Sequence, residues 1–404
     1  MKILLLAPHP FFQQRGTPIA EKMLLEVLAA RGHEIDVLTY HEGDDVALPN
    51  CRIHRIPKLP VDGIRPGFSG KKLVCDGVML WKCLRMVRRG RYDVVHAVEE
   101  SAFMALLARR MFGTPYVYDM DSGLAQQMAS HLPRLRPVFE WFERRAVRGS
   151  VGTLAVCSSL ERQARAWAPW GLVARLEDVS LLHAEDAEGG VAASLCPPDW
   201  EDRPIVLYVG NLQPYQGIDL LLAAFARALP EVPDAKLVVV GGAPEHIARY
   251  SRAARLSGIA GSVHFAGPRP VSQLGTCLRR ATVLVSPRVE GSNTPMKVYS
   301  YLDSGRALLA TRLPTHTQVL HDEIAFLADP DPGSMGRGLV RLLQDELLRE
   351  RLASNAKQFA QRELTPEAYA EKLLGFYDAV ARKIGGKIDH GEIARVKARH
   401  QGGR

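Results

Sequence analysis

What most constrains this chain is one order of elements, repeated along its length: a short apolar run, a polar loop rich in small residues, then a helical pattern. In the first half the runs are "KILLLA", "IDVLTY", "DVVHAV", "PYVYDMD" and "GTLAVCS", with helical stretches at about 17–31, 71–91 and 101–112 between them. Strands separated by helices in this rhythm predict a parallel sheet covered on both faces. The pattern lapses between about Leu181 and Arg203, then restarts with "IVLYVG", "KLVVVGG", "VHFAG", "ATVLVSP", "ALLAT" and "IAFLA". A chain of 404 residues is too long for one ordinary core. The expectation is therefore an α/β protein of two domains, residues 1–182 and 204–365, joined by a linker at 183–203. A helical pattern follows at 366–385 and a basic tail at 386–404.

Composition narrows the class. The chain is 47% hydrophobic and 24% charged, as expected of a globular enzyme. Its six Cys are scattered without a CxxC pair, which argues against a disulfide framework and for a reducing compartment. "MKILLLAPHP" reads as a first strand and not as a signal peptide, and no stretch has the roughly 20 apolar residues of a membrane span. A cytoplasmic protein is expected, with any membrane contact peripheral. The net charge of +8 favours anionic partners, though no nucleic acid is expected. Between Arg65 and Tyr92 lie eight basic residues and one acid, Asp76, with Leu73, Gly77, Leu80, Leu84 and Val87 at helical spacing. The basic face over 71–91 reads either as a solvated surface or as a patch for anionic lipid headgroups at the inner face of the membrane.

Open parallel sheets bind ligands beyond the carboxyl ends of their strands, so the loops after strands carry the candidate residues. After the first strand, Arg15, Gly16 and Thr17 open a helix, where close backbone approach and free amides favour an anion; a plain tight turn explains Gly16 equally well. His96 ends "DVVHAV", with Glu99 and Glu100 just beyond, and is either a structural group or a site residue. Asp119 and Asp121 alternate at the end of "PYVYDMD", where carboxylates are costly unless paired or used, and helix capping is the other account of Asp121. In the second half, "YVGNLQPYQGIDLL" places Gly210, Asn211 and Gln216 between strand and helix. "PRVEGSNTPMKVYSYLDSG", residues 287–305, gathers Glu290, Ser292, Asn293, Thr294, Lys297 and Ser300 beside a buried strand. There is no HExxH, P-loop or GxSxG motif and no Cys/His cluster of zinc spacing, so no metal is expected.

From "MKILLLAPHPFFQQRGTPIAE" through "YVGNLQPYQGIDLLLAAF", "VHFAGPRPVSQL" and "SPRVEGSNTPMKVYSYLDSGRALLAT", the chain resembles the family 4 glycosyltransferases. The resemblance implies the GT-B fold: two facing Rossmann-like domains, with the helix at 366–385 packing back on the first. It also implies transfer of a hexose-type sugar from a nucleotide-diphosphate sugar to an acceptor hydroxyl, with retention, without a metal or other cofactor. The first domain takes the acceptor and the second the donor. The loop of Arg15, Gly16 and Thr17 matches the family's glycine-rich loop near the donor diphosphate, with Arg15 in place of a second Gly. Asp121 stands where many members have an active-site His. Asn211 and Gln216 stand where the family has the Arg and Lys that grip the diphosphate. Ser292 and Ser300 occupy the positions of its paired Glu, with Glu290 a nearby substitute.

These departures set the expected roles. Asp121, Lys297 and Glu290 are the catalytic candidates, and Lys297 replaces the missing phosphate clamp. Arg15, Gly16, Thr17, Gly210, Asn211, Gln216, Ser292, Asn293, Thr294 and Ser300 line the donor, while His96 and Asp119 orient the acceptor or the sugar. The expected acceptor is a glycan or a lipid-linked molecule, as in cell-envelope or polysaccharide synthesis. Two other functions compete: a sugar-nucleotide or glycan-binding protein that has lost the chemistry, and a sugar-nucleotide epimerase on the same fold.

Overall fold

A computed structural model describes residues 1–13, 16–64, 69–125, 133–182 and 195–385. They form two compact α/β units, one of Met1–Leu176 with the segment from Ala370 on, the other of Glu177–Tyr369. The first unit runs β1 (Lys2–Ala7), α1 (Gly16–Ala30), β2 (Glu34–Thr39), β3 (Cys51–Arg55), α2 (Gly70–Gly90), β4 (Val94–Val98), α3 (Ser101–Phe112), β5 (Tyr116–Met120), α4 (Arg136–Gly149), β6 (Gly152–Ala155), α5 (Ser158–Trp167) and β7 (Val173–Arg175). The second runs β8 (Ile205–Val209), α6 (Ile218–Ala228), β9 (Lys236–Val240), α7 (Pro244–Leu256), β10 (Val263–Gly267), α8 (Leu274–Arg279), β11 (Val283–Ser286), α9 (Lys297–Asp303), β12 (Ala307–Thr311), α10 (Pro314–Thr317), β13 (Phe326–Ala328), α11 (Pro332–Gln344) and α12 (Glu346–Glu363). A last helix, α13 (Pro366–Lys383), returns to the first unit from Ala370 onward.

Every strand pairing is parallel, in the orders β3-β2-β1-β4-β5-β6-β7 and β10-β9-β8-β11-β12-β13. The apolar runs lack alternation because both strand faces are covered. In β8, Ile205 and Leu207 enter a core with Leu278 of α8, Tyr299 of α9 and Ala356 of α12. Val206 and Tyr208 enter another with Phe225 of α6, Tyr250 of α7 and Leu339 of α11. Burying an apolar side chain of this size is worth about 1.5–3 kcal/mol, so a polar residue at any of these positions would cost the sheet heavily.

Three features differ from the sequence reading. β3 and β7 were not among the expected strands; they are short edges, and residues such as Arg52, His54 and Arg175 hide their periodicity. In α2 the buried stripe is Cys75, Met79, Cys83 and Val87, at helical spacing, whereas Leu73 is 54% exposed. The expected apolar face through Leu73 and Gly77 is thus rotated outward. The expected linker 183–203 is packed over its described part: Leu195, Cys196 and Trp200 are core residues, and the Lys236 ammonium lies 5.3 Å from the Trp200 ring centroid. The unit boundary falls earlier, at Leu176, and residues 183–194 and 386–404 lie outside the described residues.

The core of the first unit takes in α13. Leu373, Phe376, Tyr377 and Val380 of that helix are buried, and Lys383 Nζ donates to the Val151 carbonyl at 2.9 Å. A Cβ built on Gly152 would lie 2.7 Å from the Phe376 ring, so β6 needs a glycine where this helix lands. No described helix is long and apolar enough to cross a membrane.

Candidate functional site

In the second unit the strand order reverses between β8 and β11, which are neighbours. Loops leaving such strands diverge and open a crevice at their carboxyl ends. Two cations occupy it. Lys297, at the start of α9, donates from Nζ to Gln216 Oε1 at 3.0 Å and lies 3.8 Å from the Tyr208 ring centroid. Arg288, 8% exposed, donates from Nε to the Glu290 carbonyl at 2.6 Å and from Nη2 to Asn293 Oδ1 at 2.9 Å, with its guanidinium 5.3 Å from the Tyr215 ring centroid. These partners are amide oxygens and π faces. Among the described residues neither cation has an ion-pair partner, although an enclosed charge normally demands one. Burial, and then the charge of Arg288, hold the Lys297 ammonium well below the usual lysine range. An anion between the two would relieve both.

The loop that carries Arg288 is pinned from behind. Thr311, ending β12, donates its hydroxyl to the Arg288 carbonyl at 2.6 Å. His316 is fully buried between Thr311 and Ser286, and burial lowers its pKa to about 3, so the imidazole is neutral. A proton on Nδ1, given to the Thr311 carbonyl at 2.9 Å, leaves Nε2 to accept from the Ser286 hydroxyl at 2.8 Å. Thr315 donates to the Asn293 carbonyl at 2.7 Å, and Gln318 to the Ser292 carbonyl at 2.9 Å. Gly291 sits at φ 125°, and a Cβ there would be 2.0 Å from Arg288 Nη2. Only glycine leaves room for the guanidinium.

The residues expected from sequence divide around this pair of cations. Gln216 is brought to Lys297, and Asn293 to Arg288. Gly210 has φ 148°, and a Cβ on it would be 2.9 Å from Lys297 Nζ, so the close approach expected there is to a side chain of the site. Thr294 is buried, and its hydroxyl has no partner among the described residues. Asn211 is exposed; its Oδ1 accepts the Gln213 N–H at 3.2 Å, a local turn contact. Ser300 is fully buried and accepts the Leu181 N–H at 2.9 Å, which makes it a structural residue without access to a ligand. Glu290 is exposed and turns its carbonyl to Arg288, so its carboxylate does not join the cations. Ser292 is half-buried, and its carbonyl is held by Gln318. Arg288 was missed. Its signal, a basic residue two places after a buried apolar strand, was present in "VSPR" but was overshadowed by the polar residues that follow it.

The first unit reverses its order between β1 and β4. Here the strand ends carry acids. Glu21 of α1 accepts from His9 Nε2 at 2.8 Å, and Glu99, just past β4, accepts from the Ser122 hydroxyl at 3.2 Å. Glu99 has φ 48°, a strained left-handed conformation for a side chain of its kind. Lys72 of α2 pairs with Glu100, and Asp76 accepts from the Tyr40 hydroxyl at 2.5 Å. Burial, and then the nearby Glu100 carboxylate, raise Asp76 to about 7. For His9, burial lowers the pKa, but the Glu21 carboxylate outweighs it and the net shift is upward.

His96 and Asp119 do come together, but not at an open surface. His96 is fully buried, its Nε2 3.0 Å from Asp119 Oδ2 and its Nδ1 2.7 Å from the Tyr377 hydroxyl of α13. The expected orienting role of His96 is corrected: the ring cannot touch a ligand and instead ties α13 to β4 and β5. Asp121 follows β5, half-buried. Gly16 is exposed at the start of α1 with nothing within 4 Å of a built Cβ, Thr17 is half-buried beside it, and Arg15 lies outside the described residues. One trio of possible metal ligands exists among the described residues, His41, Glu42 and Asp62. Both Glu42 oxygens already accept N–H groups, from Gly63 at 2.6 Å and Ile64 at 3.1 Å.

Residues 203–345 match the model for glycosyl transferases group 1, and residues 20–175 that for the glycosyl transferase 4-like domain. The chain belongs to the family 4 glycosyltransferases. This family 4 glycosyltransferase is 25% identical over 392 residues to the phosphatidyl-myo-inositol mannosyltransferase of Mycobacterium tuberculosis, covering 94% of this chain and 97% of that one. It is 26% identical over 390 residues to the alpha-D-kanosaminyltransferase of Streptomyces kanamyceticus, covering 90% and 98%. In fold it is similar to the sucrose-phosphate synthase of Thermosynechococcus elongatus, with a TM-score of 0.76 at 20% identity over 93% of this chain and 98% of that one. Its two parallel-sheet units are therefore those of a GT-B glycosyltransferase.

Proposed function

We propose that the chain is a retaining, metal-independent hexosyltransferase that takes its sugar from a nucleotide-diphosphate sugar and passes it to an acceptor hydroxyl. The observation that carries this reading is the β8/β11 crevice, where Arg288 is buried and Lys297 half-buried, both without carboxylate partners among the described residues. A departing diphosphate gains negative charge as the glycosidic bond breaks, and groups already aimed at that charge stabilise the transition state. Arg288 and Lys297 take the parts of the family's missing clamp at Asn211 and Gln216, while Gln216 positions the Lys297 ammonium. Asn293 and Thr294 supply polar groups for sugar hydroxyls, and Asp121, on the first unit, orients the sugar or the acceptor. In the retaining path the acceptor hydroxyl attacks from the face that the phosphate leaves, and a phosphate oxygen takes its proton. The acceptor is a glycan or lipid-linked molecule of the cell envelope.

The test is transfer from a panel of UDP- and GDP-sugars by wild type and Lys297→Ala. Loss of one preorganised group of this kind typically costs 10²–10³ in rate, so the variant is expected to fall by about a hundred-fold. Turnover by both proteins at equal rates would remove Lys297 from the diphosphate. A second reading, a binding protein without turnover, is favoured by the exposed Glu290 and the enclosed Ser300, which leave the family's paired Glu without an evident replacement. Tight nucleotide-sugar binding with no transfer or hydrolysis across acceptors would support it.

Peripheral attachment to the inner face of the cytoplasmic membrane is part of the same proposal. The exposed side of α2 carries Leu73, Val74 and Trp81 beside Lys71, Arg85, Arg88 and Arg89, with the Arg85 guanidinium 5.4 Å from the Trp81 ring centroid. Such a face suits anionic headgroups. Co-sedimentation with phosphatidylglycerol vesicles, lost in Trp81→Ala and weakened by salt, is expected; binding equally well to uncharged vesicles would refute the electrostatic part.

A further inference from the structure

The two loops of the β8/β11 crevice hold one another together. Residues 210–217, between β8 and α6, carry no charged side chain, yet they are laced to the loop that carries both cations. The Val289 N–H donates to the Tyr215 carbonyl at 3.0 Å, and Lys297 Nζ donates to Gln216 Oε1 at 3.0 Å. Gly217, at φ 75°, passes so close to the Pro287 carbonyl that a Cβ on it would collide there. Pro214–Gln216 form one tight helical turn that ends at this glycine. Tyr215, in that turn, is half-buried, and its ring centroid lies 5.3 Å from the Arg288 guanidinium carbon. Its hydroxyl accepts only a long contact, from Asn211 Nδ2 at 3.4 Å, so the ring and not the hydroxyl is the engaged part. Arg288 gives Nε to the Glu290 carbonyl and Nη2 to Asn293 Oδ1, which leaves Nη1 without a partner among the described residues.

Taking the second unit to hold the donor diphosphate, we propose that Tyr215 is a positioning residue of that site: its ring fixes the Arg288 guanidinium for a phosphate oxygen without cancelling its charge. An arginine recognises phosphate through planar, fixed N–H donors, so its orientation matters as much as its charge. A carboxylate in place of Tyr215 would also hold the guanidinium, but the phosphate would then have to compete with an opposite charge already in contact. An aromatic face attracts a cation through its quadrupole and leaves the net charge in place. The same arrangement recurs at Lys297, 3.8 Å from the Tyr208 ring centroid. Tyr208 is fully buried in the core, whereas Tyr215 stands outside it, so Tyr215 is the ring that can be changed without opening the sheet. The positive charge of the site thus comes from Arg288 and Lys297, and its geometry from neutral residues between 208 and 216.

The experiment is calorimetric titration of the full chain with UDP and, separately, GDP, for wild type, Tyr215→Leu, Tyr215→Phe, Arg288→Ala and the Arg288→Ala/Tyr215→Leu double variant. Tyr215→Leu, which removes the π face, is expected to weaken the tighter of the two nucleotides by about ten-fold. Tyr215→Phe, which restores the ring without the hydroxyl, is expected to recover the affinity to within about three-fold of wild type. In the Arg288→Ala background Tyr215→Leu is expected to add no more than about two-fold, because a residue that acts through Arg288 has nothing left to act on. A general role in the fold of the loop would instead persist in that background. Wild-type affinity in Tyr215→Leu, equal weakness of the Leu and Phe variants, or a full effect of Tyr215→Leu without Arg288 would each overturn the inference. Any of these, with nucleotide binding by the wild type intact, would leave the donor reading standing and remove this one. Binding of neither nucleotide by the wild type would remove both.

Discussion

The two sheets of this protein reverse their strand order at equivalent places, yet the crevices they open differ in how their charges are paired. Beside β8 and β11, Arg288 and Lys297 have no acid partner among the described residues; beside β1 and β4, His9 is paired with Glu21 and Lys72 with Glu100. A shared topology fixes where a ligand can sit, and the loop residues fix its charge. The second unit also achieves its surplus by rigid means. Thr311, Thr315 and Gln318 hold the Arg288 loop through its carbonyls, and His316 braces Thr311 and Ser286 behind it. In the first unit the corresponding strain is on Glu99 itself, at φ 48°.

The contrast can be broken most directly at Arg288. Arg288→Ala removes half of the unpaired positive charge and is expected to lower kcat/KM for the nucleotide-sugar by about a hundred-fold. A loss of less than three-fold would put the leaving group elsewhere. Next is Gly291→Ala, which sets a Cβ against the Arg288 guanidinium in a backbone conformation that favours glycine. It should destabilise the second unit by about 1–3 kcal/mol, read by hydrogen exchange, with β1 and β4 protection unaltered. Uniform loss in both units would mean that they do not respond separately.

The smallest effect is in pH. Asp76 has its folded pKa raised to about 7, so the folded protein holds a proton that the unfolded chain releases near pH 4. Its contribution is full below that point and is lost as pH rises toward 7. His316 has its folded pKa lowered to about 3, so its contribution is full above about 6.5 and is lost as pH falls toward 3. Each proton gives a slope of about 1.4 kcal/mol per pH unit within its window, of opposite sign. Hydrogen exchange on wild type, Asp76→Asn and His316→Gln should show the first slope in the first unit and the second slope in the second. Slopes of the same sign would refute the assignment.

Much of the architecture was legible because it rests on runs buried on both faces, such as β1 and β8, whose apolar character does not depend on a partner. β3 and β7 were not, since edge strands tolerate polar and charged residues such as Arg52, His54 and Arg175. The cations of the site illustrate the same limit. Lys297 could be singled out because it begins a helix after a polar loop. Arg288 needed the fold, because only the closure of 288–293 on itself shows that its guanidinium is enclosed and without an acid. Gly16 and Gly210 look alike in sequence, each after a strand and before a helix. The structure separates them: a Cβ on Gly16 meets nothing, and one on Gly210 meets Lys297. His96 read as a candidate for ligand contact because its position at a strand end is visible, while Tyr377, which encloses it, lies 281 residues away.

That separation has a consequence for how the protein is made. The ring of Tyr377, with Leu373, Phe376 and Val380, completes the core of a unit whose strands are otherwise synthesised within the first 176 residues. Until α13 leaves the ribosome, His96 lacks its hydroxyl partner and the apolar slot over β6 stays open. The first unit, begun before the second, is thus completed only after it, and it waits with exposed apolar surface while the whole second unit is made.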